Sequence, residues 1–95
     1  MMPDLIVLAW YRREDYDQIF ALAPGGGGME PTFDDWQKFV KRAIPGIEAR
    51  GIPIKKIIVK PGEFAAWLRK NNLQSSPEAR VKYAFEIAGK RFGTH

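Results

Sequence analysis

The seven-residue apolar run Leu5–Tyr11 constrains the fold more than any other feature of this sequence. The run is too short to span a bilayer, and its leucine, isoleucine, valine and aromatic residues favour a β-strand. A continuous rather than alternating apolar run is typical of a strand that is covered on both faces. We therefore expect a central strand here, and the rest of the chain must supply the helices that cover it.

Two helical patterns follow this strand. The first, residues 13–23, has acidic residues in its first turn, where the helix dipole favours them, and Pro24 ends it. The second begins after Thr32, a good N-cap, and extends to near Gly51, with a kink or restart expected at Pro45. The expected buried stripe of this second helix is Phe33, Trp36, Phe39, Val40, Ala43, Ile44 and Ile47.

The second half of the chain repeats this order. Residues 52–60 interleave lysines with isoleucine and valine, which predicts a less buried strand whose lysines protect an exposed edge. Residues 61–72 predict a short helix that two asparagines terminate. Ser76 and Pro77 are typical of the start of a last helix, which extends to about Phe92. Its expected inward stripe is Val81, Ala84, Phe85, Ala88 and Phe92.

The order β-α-α-β-α-α predicts a fold of the α/β (α+β) class. The 95 residues allow one core, so we expect a single domain over residues 1–95. A right-handed crossover would place the two strands side by side and parallel. Two strands alone make a marginal sheet, so helices must cover it, and a free edge could pair across a two-fold axis. A homodimer is therefore a working hypothesis.

The four consecutive glycines Gly25–Gly28 raise the question of a phosphate-binding loop. The run lacks the Lys-Ser/Thr pair of a Walker loop, and it follows a helix rather than a strand. Asp34 and Asp35 occupy the first turn of the next helix, where they would repel an anion. We interpret residues 24–31 as a flexible connector and predict that they form the least ordered internal segment.

The residue inventory narrows the possible chemistry. The chain has no cysteine and a single histidine, His95, which argues against disulfides, thiolate nucleophiles and most zinc sites. We therefore predict no enzyme and no cofactor. The less favoured alternative is acid/base chemistry or a hard-cation site among the carboxylates Glu14, Asp15, Asp17, Asp34 and Asp35. The N-terminal sequence shows no basic leader before its apolar run, so a cytoplasmic protein without a membrane span is expected.

The charge is unevenly distributed. Residues 1–47 carry a net charge of −2, whereas residues 48–95 carry +6. A basic half indicates an acidic partner, either protein or nucleic acid, although solvated helix faces have the same composition. Trp10 and Tyr11 are more often core residues, but they leave the first strand at the end where ligands collect in α/β sheets. The candidate binding surface comprises Tyr11, Arg12, Arg13, Lys60, Arg69, Lys70, Arg80 and Lys82.

Four short motifs span most of the chain: AWYRREDYD (9–17), TFDDW (32–36), AAWLR (65–69) and PEAR (77–80). Together they resemble a group of short uncharacterised bacterial α/β proteins. In that group a cysteine often follows the Ala-Trp pair, but this chain has Leu68 there and no thiol role. The resemblance implies the fold and carries no activity.

The sequence favours a non-catalytic binding or regulatory module that acts through contacts with another protein. The alternative is a nucleic-acid-binding protein that uses the basic C-terminal half. A small-ligand-binding or metal-dependent enzyme is the third possibility, and no catalytic, cofactor-binding or metal-ligating residue is assigned.

Overall fold

The computed structural model describes residues 5–92, with side chains through Lys90. Two strands and four helices follow the predicted order: β1 (Ile6–Trp10), α1 (Arg13–Phe20), α2 (Phe33–Ala49), β2 (Ile54–Ile58), α3 (Pro61–Asn71) and α4 (Pro77–Phe92). The strands pair in parallel, with Ile6 opposite Ile54 and Trp10 opposite Ile58. The predicted order and parallel sheet are thus confirmed. Within the described residues β1 has a neighbouring strand on one edge only, so it is not central as expected.

Helices cover both faces of this small sheet near β1. On one face Ala84 and Ala88 of α4 pack against Val7 and Ile57, because alanine side chains let the helix approach the strands closely. On the other face Trp36 of α2 meets Trp10 edge to face, with ring centroids 4.9 Å apart. The main core lies beyond the carboxyl ends of the strands and includes four fully buried side chains: Tyr16, Ile19, Val59 and Phe64. Among the described helices, none has the length and apolar content needed to cross a membrane.

The predicted helix starts are confirmed in detail. Thr32 Oγ1 accepts a hydrogen bond of 3.1 Å from the Asp35 amide, and Ser76 Oγ accepts one of 3.0 Å from the Ala79 amide. Asn72 caps the end of α3 in the left-handed conformation, with φ of 55°. These ends depend on residues within one turn of each other, which is why the sequence predicts them well.

Helix α2 continues through Pro45, so the predicted restart of the helix is not observed. Proline removes the amide that would bond to the carbonyl of Lys41, one turn earlier. Both residues are exposed, so water can hydrate the carbonyl that loses its partner. The cost of the proline is therefore small enough for the helix to continue to Ala49.

Three large apolar residues that were expected to face the core are instead half exposed. They are Phe39 (49% exposed), Val81 (46%) and Phe85 (51%). Their exposure follows from the rotation of the helices, because α4 turns Ala84 and Ala88 toward the sheet and thereby places Val81 and Phe85 on its flank. The side chain of Phe92, the last member of the predicted stripe, lies outside the described residues.

The glycine-rich segment predicted to be a flexible connector forms a specific turn, Pro24–Gly28, which we call the glycine turn. Gly26 is buried, and the Gly27 carbonyl accepts a hydrogen bond of 2.8 Å from Arg80 Nη1. Gly27 has φ of 56°, and a Cβ there would lie 2.7 Å from the carbonyl oxygen of Ser75. The turn therefore requires glycine at position 27, both for its backbone conformation and for its packing.

Two alanine substitutions in the glycine turn separate these requirements. Gly25→Ala introduces a side chain at φ of 65° with nothing within 4 Å, so we expect only the conformational cost of about 1–2 kcal/mol. Gly27→Ala adds the clash with Ser75, and we expect a clearly larger loss in the free energy of unfolding. Urea denaturation of both variants measures the difference. Equal losses would mean that the turn does not pack against Ser75.

Candidate functional site

Within residues 5–92, no strand pairs with the edge of β1 that faces away from β2. Ile6 N–H donates to the Pro53 carbonyl (3.0 Å), and Val59 N–H donates to the Trp10 carbonyl (2.9 Å). In a parallel ladder alternate residues make these bonds, so Ile6, Leu8 and Trp10 direct their backbone groups toward β2. The N–H and C=O groups of Val7 and Ala9 consequently point to the opposite edge. Among the described residues, no other element hydrogen-bonds to them.

A groove of about 270 Å³ opens along this edge, and we call it the edge groove. It is lined by Leu8, Ala9, Tyr11, Gly28, Met29, Glu30, Trp36, Phe39, Val40, Pro77, Arg80 and Val81. Successive strand residues point to opposite faces of a sheet, so a groove that reaches both Leu8 and Ala9 must open at the edge rather than on a face. Helices α2 and α4 form its two walls.

Both walls of the edge groove are apolar at their outer rims. Phe39 projects from α2 and Val81 from α4, and each is about half exposed although it lines the groove. Phe85 lies one turn after Val81 on α4 and extends the apolar rim. Exposed apolar residues that converge on one groove indicate an interaction site more strongly than the same residues scattered over the surface.

Arg80 closes one end of the edge groove, beside the carboxyl end of β1. Its side chain is almost fully buried, and Nη1 donates to the Gly27 carbonyl (2.8 Å) and to Ser75 Oγ (3.3 Å). In the part of the chain that the structure describes, no carboxylate lies within 4.0 Å of the guanidinium. Both acceptors are neutral, so Arg80 is a buried cation without a counter-charge at contact distance.

Two tyrosines adjoin this end of the groove. Burial raises the pKa of Tyr11, while the positive charge of Arg80 and a side-chain hydrogen bond with it act in the opposite direction. Burial also raises the pKa of Tyr16, whose hydroxyl donates a hydrogen bond of 2.7 Å to the Glu30 carbonyl. Both side chains are therefore neutral phenols at physiological pH, and Tyr11 presents an uncharged polar group to the groove.

The remaining candidate residues are spread over several elements. Arg12 and Arg13 form ion pairs at the start of α1, with Asp15 (2.6 Å) and Asp34 (2.9 Å) respectively. Lys60 lies 3.9 Å from a carboxylate of α3. The other three, Arg69, Lys70 and Lys82, are exposed on α3 and α4. Of the eight candidates, Tyr11 and Arg80 line the edge groove.

The groove walls were not predicted from the sequence, because Phe39 and Val81 lie on the apolar stripes expected to face the core. Arg80 was expected on a surface patch, although one signal of its burial is present in the sequence. Arg80 precedes Ala84 and Ala88 by four and eight residues, so all three lie on the same helical face. A stripe centred on the two alanines would have included the arginine.

Other surface features are less site-like. A larger depression of about 550 Å³ is lined by Ile44, Glu48 and residues 51–56, and none of these residues is buried. Within the described residues, no three potential ligands from histidine, cysteine, aspartate and glutamate cluster to hold a metal ion. The edge groove thus combines apolar walls, unpaired backbone groups and a buried charge in one place.

No protein-family model, curated protein or solved structure matches this chain significantly.

Proposed function

We propose that this chain is a protein-binding module that takes up an extended segment of a partner protein as an added strand along the free edge of β1. The observation that carries the proposal is the outward direction of the Val7 and Ala9 backbone groups at the edge of β1 along which the edge groove opens at Leu8 and Ala9. Those groups supply two donors and two acceptors in a row, which is the pattern that an added strand requires.

An added strand at this edge would be stabilised by new backbone hydrogen bonds and by a larger sheet. Val7 is buried with Ala84 and Ala88 of α4, and its own backbone groups have no hydrogen-bond partner among the described residues. Each hydrogen bond to an added strand contributes about 0.5–1.5 kcal/mol, and unpaired buried groups carry a cost until they are satisfied. A third strand would also extend a two-stranded sheet, which is marginal on its own.

The walls of the groove indicate the composition of the segment. Side chains of an added strand alternate between the α2 wall and the α4 wall. Phe39 and Val40 on one wall and Val81 on the other are apolar, so the segment should be rich in valine, isoleucine and aromatic residues.

A separate partner fits this groove better than a second copy of the chain. The buried cation Arg80 favours an occupant with an acidic group, and β1 (Ile6–Trp10) contains no carboxylate to offer in an edge-to-edge pairing. The homodimer stays a prediction and is the competing outcome of the test. Nucleic-acid binding has less support, because Arg12 and Arg13 already pair with carboxylates and Arg80 is buried.

The proposal can be tested by panning a library of random octapeptides with free carboxyl termini against the protein. We expect enrichment of apolar, β-branched peptides. Val81→Asp should weaken their binding at least tenfold, because it places a charge on the apolar wall. Leu73→Asp is the matched control, since Leu73 is similarly exposed (40%) and lies outside the groove. Bound peptide should also slow hydrogen exchange at the Ala9 amide.

Three results would contradict the proposal. The first is a failure of the library to yield any binder. The second is that enriched peptides bind Val81→Asp as tightly as the unsubstituted protein. The third is a dimer in light scattering at micromolar concentration that Val81→Asp dissociates, because a second copy would then occupy the groove.

A further inference from the structure

We infer that the closed end of the edge groove is a carboxylate-recognition site, where Arg80 binds an acidic group on the added strand. This inference rests on the proposed function. It goes further by assigning a charge to the partner segment and a position to that charge.

The Arg80 side chain is held by hydrogen bonds to neutral groups. A guanidinium has five N–H donors, and Nη1 of Arg80 uses its own for the Gly27 carbonyl and Ser75 Oγ. These bonds hold the side chain in place, and the Tyr11 hydroxyl is a further hydrogen-bonding neighbour of the guanidinium. All these partners are neutral, and within the described residues no carboxylate lies within 4.0 Å of the group. A buried cation that is fixed but not neutralised is suited to an anionic ligand, and the fork of donors matches the two oxygens of a carboxylate.

The Arg80 guanidinium lies at the edge groove beside Gly28 and Tyr11. Gly28 lines the groove next to Arg80, and a Cβ at that glycine would lie 3.7 Å from Nη2. The same Cβ would lie 2.9 Å from Cγ of Pro77, so a side chain at position 28 would crowd the end of the groove where Nη2 lies. Tyr11 lines the same end of the groove and offers a neutral hydroxyl as a second donor.

Glu30 is the acidic residue among those that line the groove, and it acts against an incoming carboxylate. Its carboxylate does not reach Arg80 within the 4.0 Å of an ion pair, so it does not neutralise the guanidinium by contact. Glu30 should therefore weaken the binding of an acidic ligand through charge repulsion. A variant without this charge is a control for the charge of the ligand. Removing its charge should strengthen the binding of an acidic peptide and leave a neutral peptide unaffected.

The position of Arg80 also relates the source of the carboxylate to strand direction. Arg80 lies beside Tyr11, at the carboxyl end of β1. The terminal carboxylate of a peptide reaches this end when the peptide runs parallel to β1. An aspartate or glutamate side chain can reach it in either direction. The chemistry is the same in both cases, and the experiment distinguishes the two sources.

The test uses the tightest octapeptide from the library in three synthetic forms: the free acid, the C-terminal amide, and a form with each internal aspartate or glutamate replaced by its amide. We expect one of the two neutralised forms to bind about tenfold to a hundredfold more weakly. Loss in the C-terminal amide identifies a terminal carboxylate and a parallel strand. Loss in the other form identifies a side chain.

Variants of the protein complete the test. Arg80→Lys retains a charge but lacks the planar fork, and Arg80→Met lacks both, so discrimination between acid and amide should shrink in the first and disappear in the second. Glu30→Gln should tighten binding of the acid form severalfold. If Arg80→Met does not fold, Arg80→Lys and the peptide forms still decide the outcome.

Equal binding of all three peptide forms to the unsubstituted protein would overturn the carboxylate inference and leave strand addition intact. Discrimination that persists unchanged in Arg80→Lys and is indifferent to Glu30→Gln would also overturn it. Failure of the strand-addition proposal has a different signature, namely the absence of binders or binding that Val81→Asp does not affect.

Discussion

Replacing Tyr16 by alanine is expected to lower the free energy of unfolding by about 3–5 kcal/mol, a large part of the stability of a domain this size. Tyr16 has no exposed surface, and its ring packs edge to face against Tyr11 (centroids 5.5 Å apart) and Phe33 (5.8 Å). Alanine would leave a cavity where the strand end, α1 and α2 meet. Urea denaturation followed by tryptophan fluorescence measures the loss.

Tyr16→Phe is the matched control for this prediction. It keeps the ring and removes the hydroxyl that donates to the Glu30 carbonyl, so we expect a loss of only about 1–3 kcal/mol. That hydrogen bond also holds the segment that forms the closed end of the edge groove. A Tyr16→Ala variant as stable as Tyr16→Phe would show that the ring contacts of Tyr16 contribute little to the core.

The sequence predicted those parts of the fold that depend on neighbouring residues. The caps at Thr32 and Ser76 are local chemistry, because each hydroxyl accepts from an amide three residues later. The parallel pairing of β1 and β2 followed from element order together with the handedness of crossover connections. Neither prediction required knowledge of how side chains from distant segments pack.

The rotation of α4 was not predictable from hydrophobicity alone. Two overlapping stripes exist on this helix, and the stripe containing Val81 and Phe85 is the more apolar. The sheet instead selects the stripe of Ala84 and Ala88, because small side chains permit close packing of a helix on two short strands. This choice places Arg80 inside and Val81 on the groove wall. The edge groove therefore depends on how α4 packs against the strands, which are distant from it in sequence.

The glycine turn illustrates the same limit. Its sequence resembles a linker, since glycine permits almost any conformation and specifies none. The specificity comes from Arg80, which lies 53 residues away in sequence and donates to the Gly27 carbonyl. The same arginine thus fixes the turn and closes the groove. Predicting either role required the position of α4.

Proline at position 8 and proline at position 9 are expected to have different effects, although the residues are adjacent. The Leu8 amide faces β2 in the ladder, so Leu8→Pro removes a bond of the sheet and leaves a carbonyl of β2 without its donor. We expect it to cost about 1–3 kcal/mol more in the free energy of unfolding than Ala9→Pro. The Ala9 amide faces the groove, so Ala9→Pro should retain the sheet and weaken octapeptide binding about tenfold.

Ala9→Val is the matched control, because it adds a side chain of similar volume and keeps the amide that an added strand would use. Since Ala9 packs against the buried cluster that contains Ala84 and Ala88 of α4, Ala9→Val and Ala9→Pro should share the packing cost and differ in binding. Urea denaturation and peptide titration of all three variants separate the two effects. Normal binding by Ala9→Pro, or a loss of stability equal to that of Leu8→Pro, would contradict the assignment of the Ala9 amide to the free edge. The alternation of the ladder divides the backbone groups of β1, with even-numbered residues bonded to β2 and odd-numbered ones directed to the edge that the proposed partner strand would use.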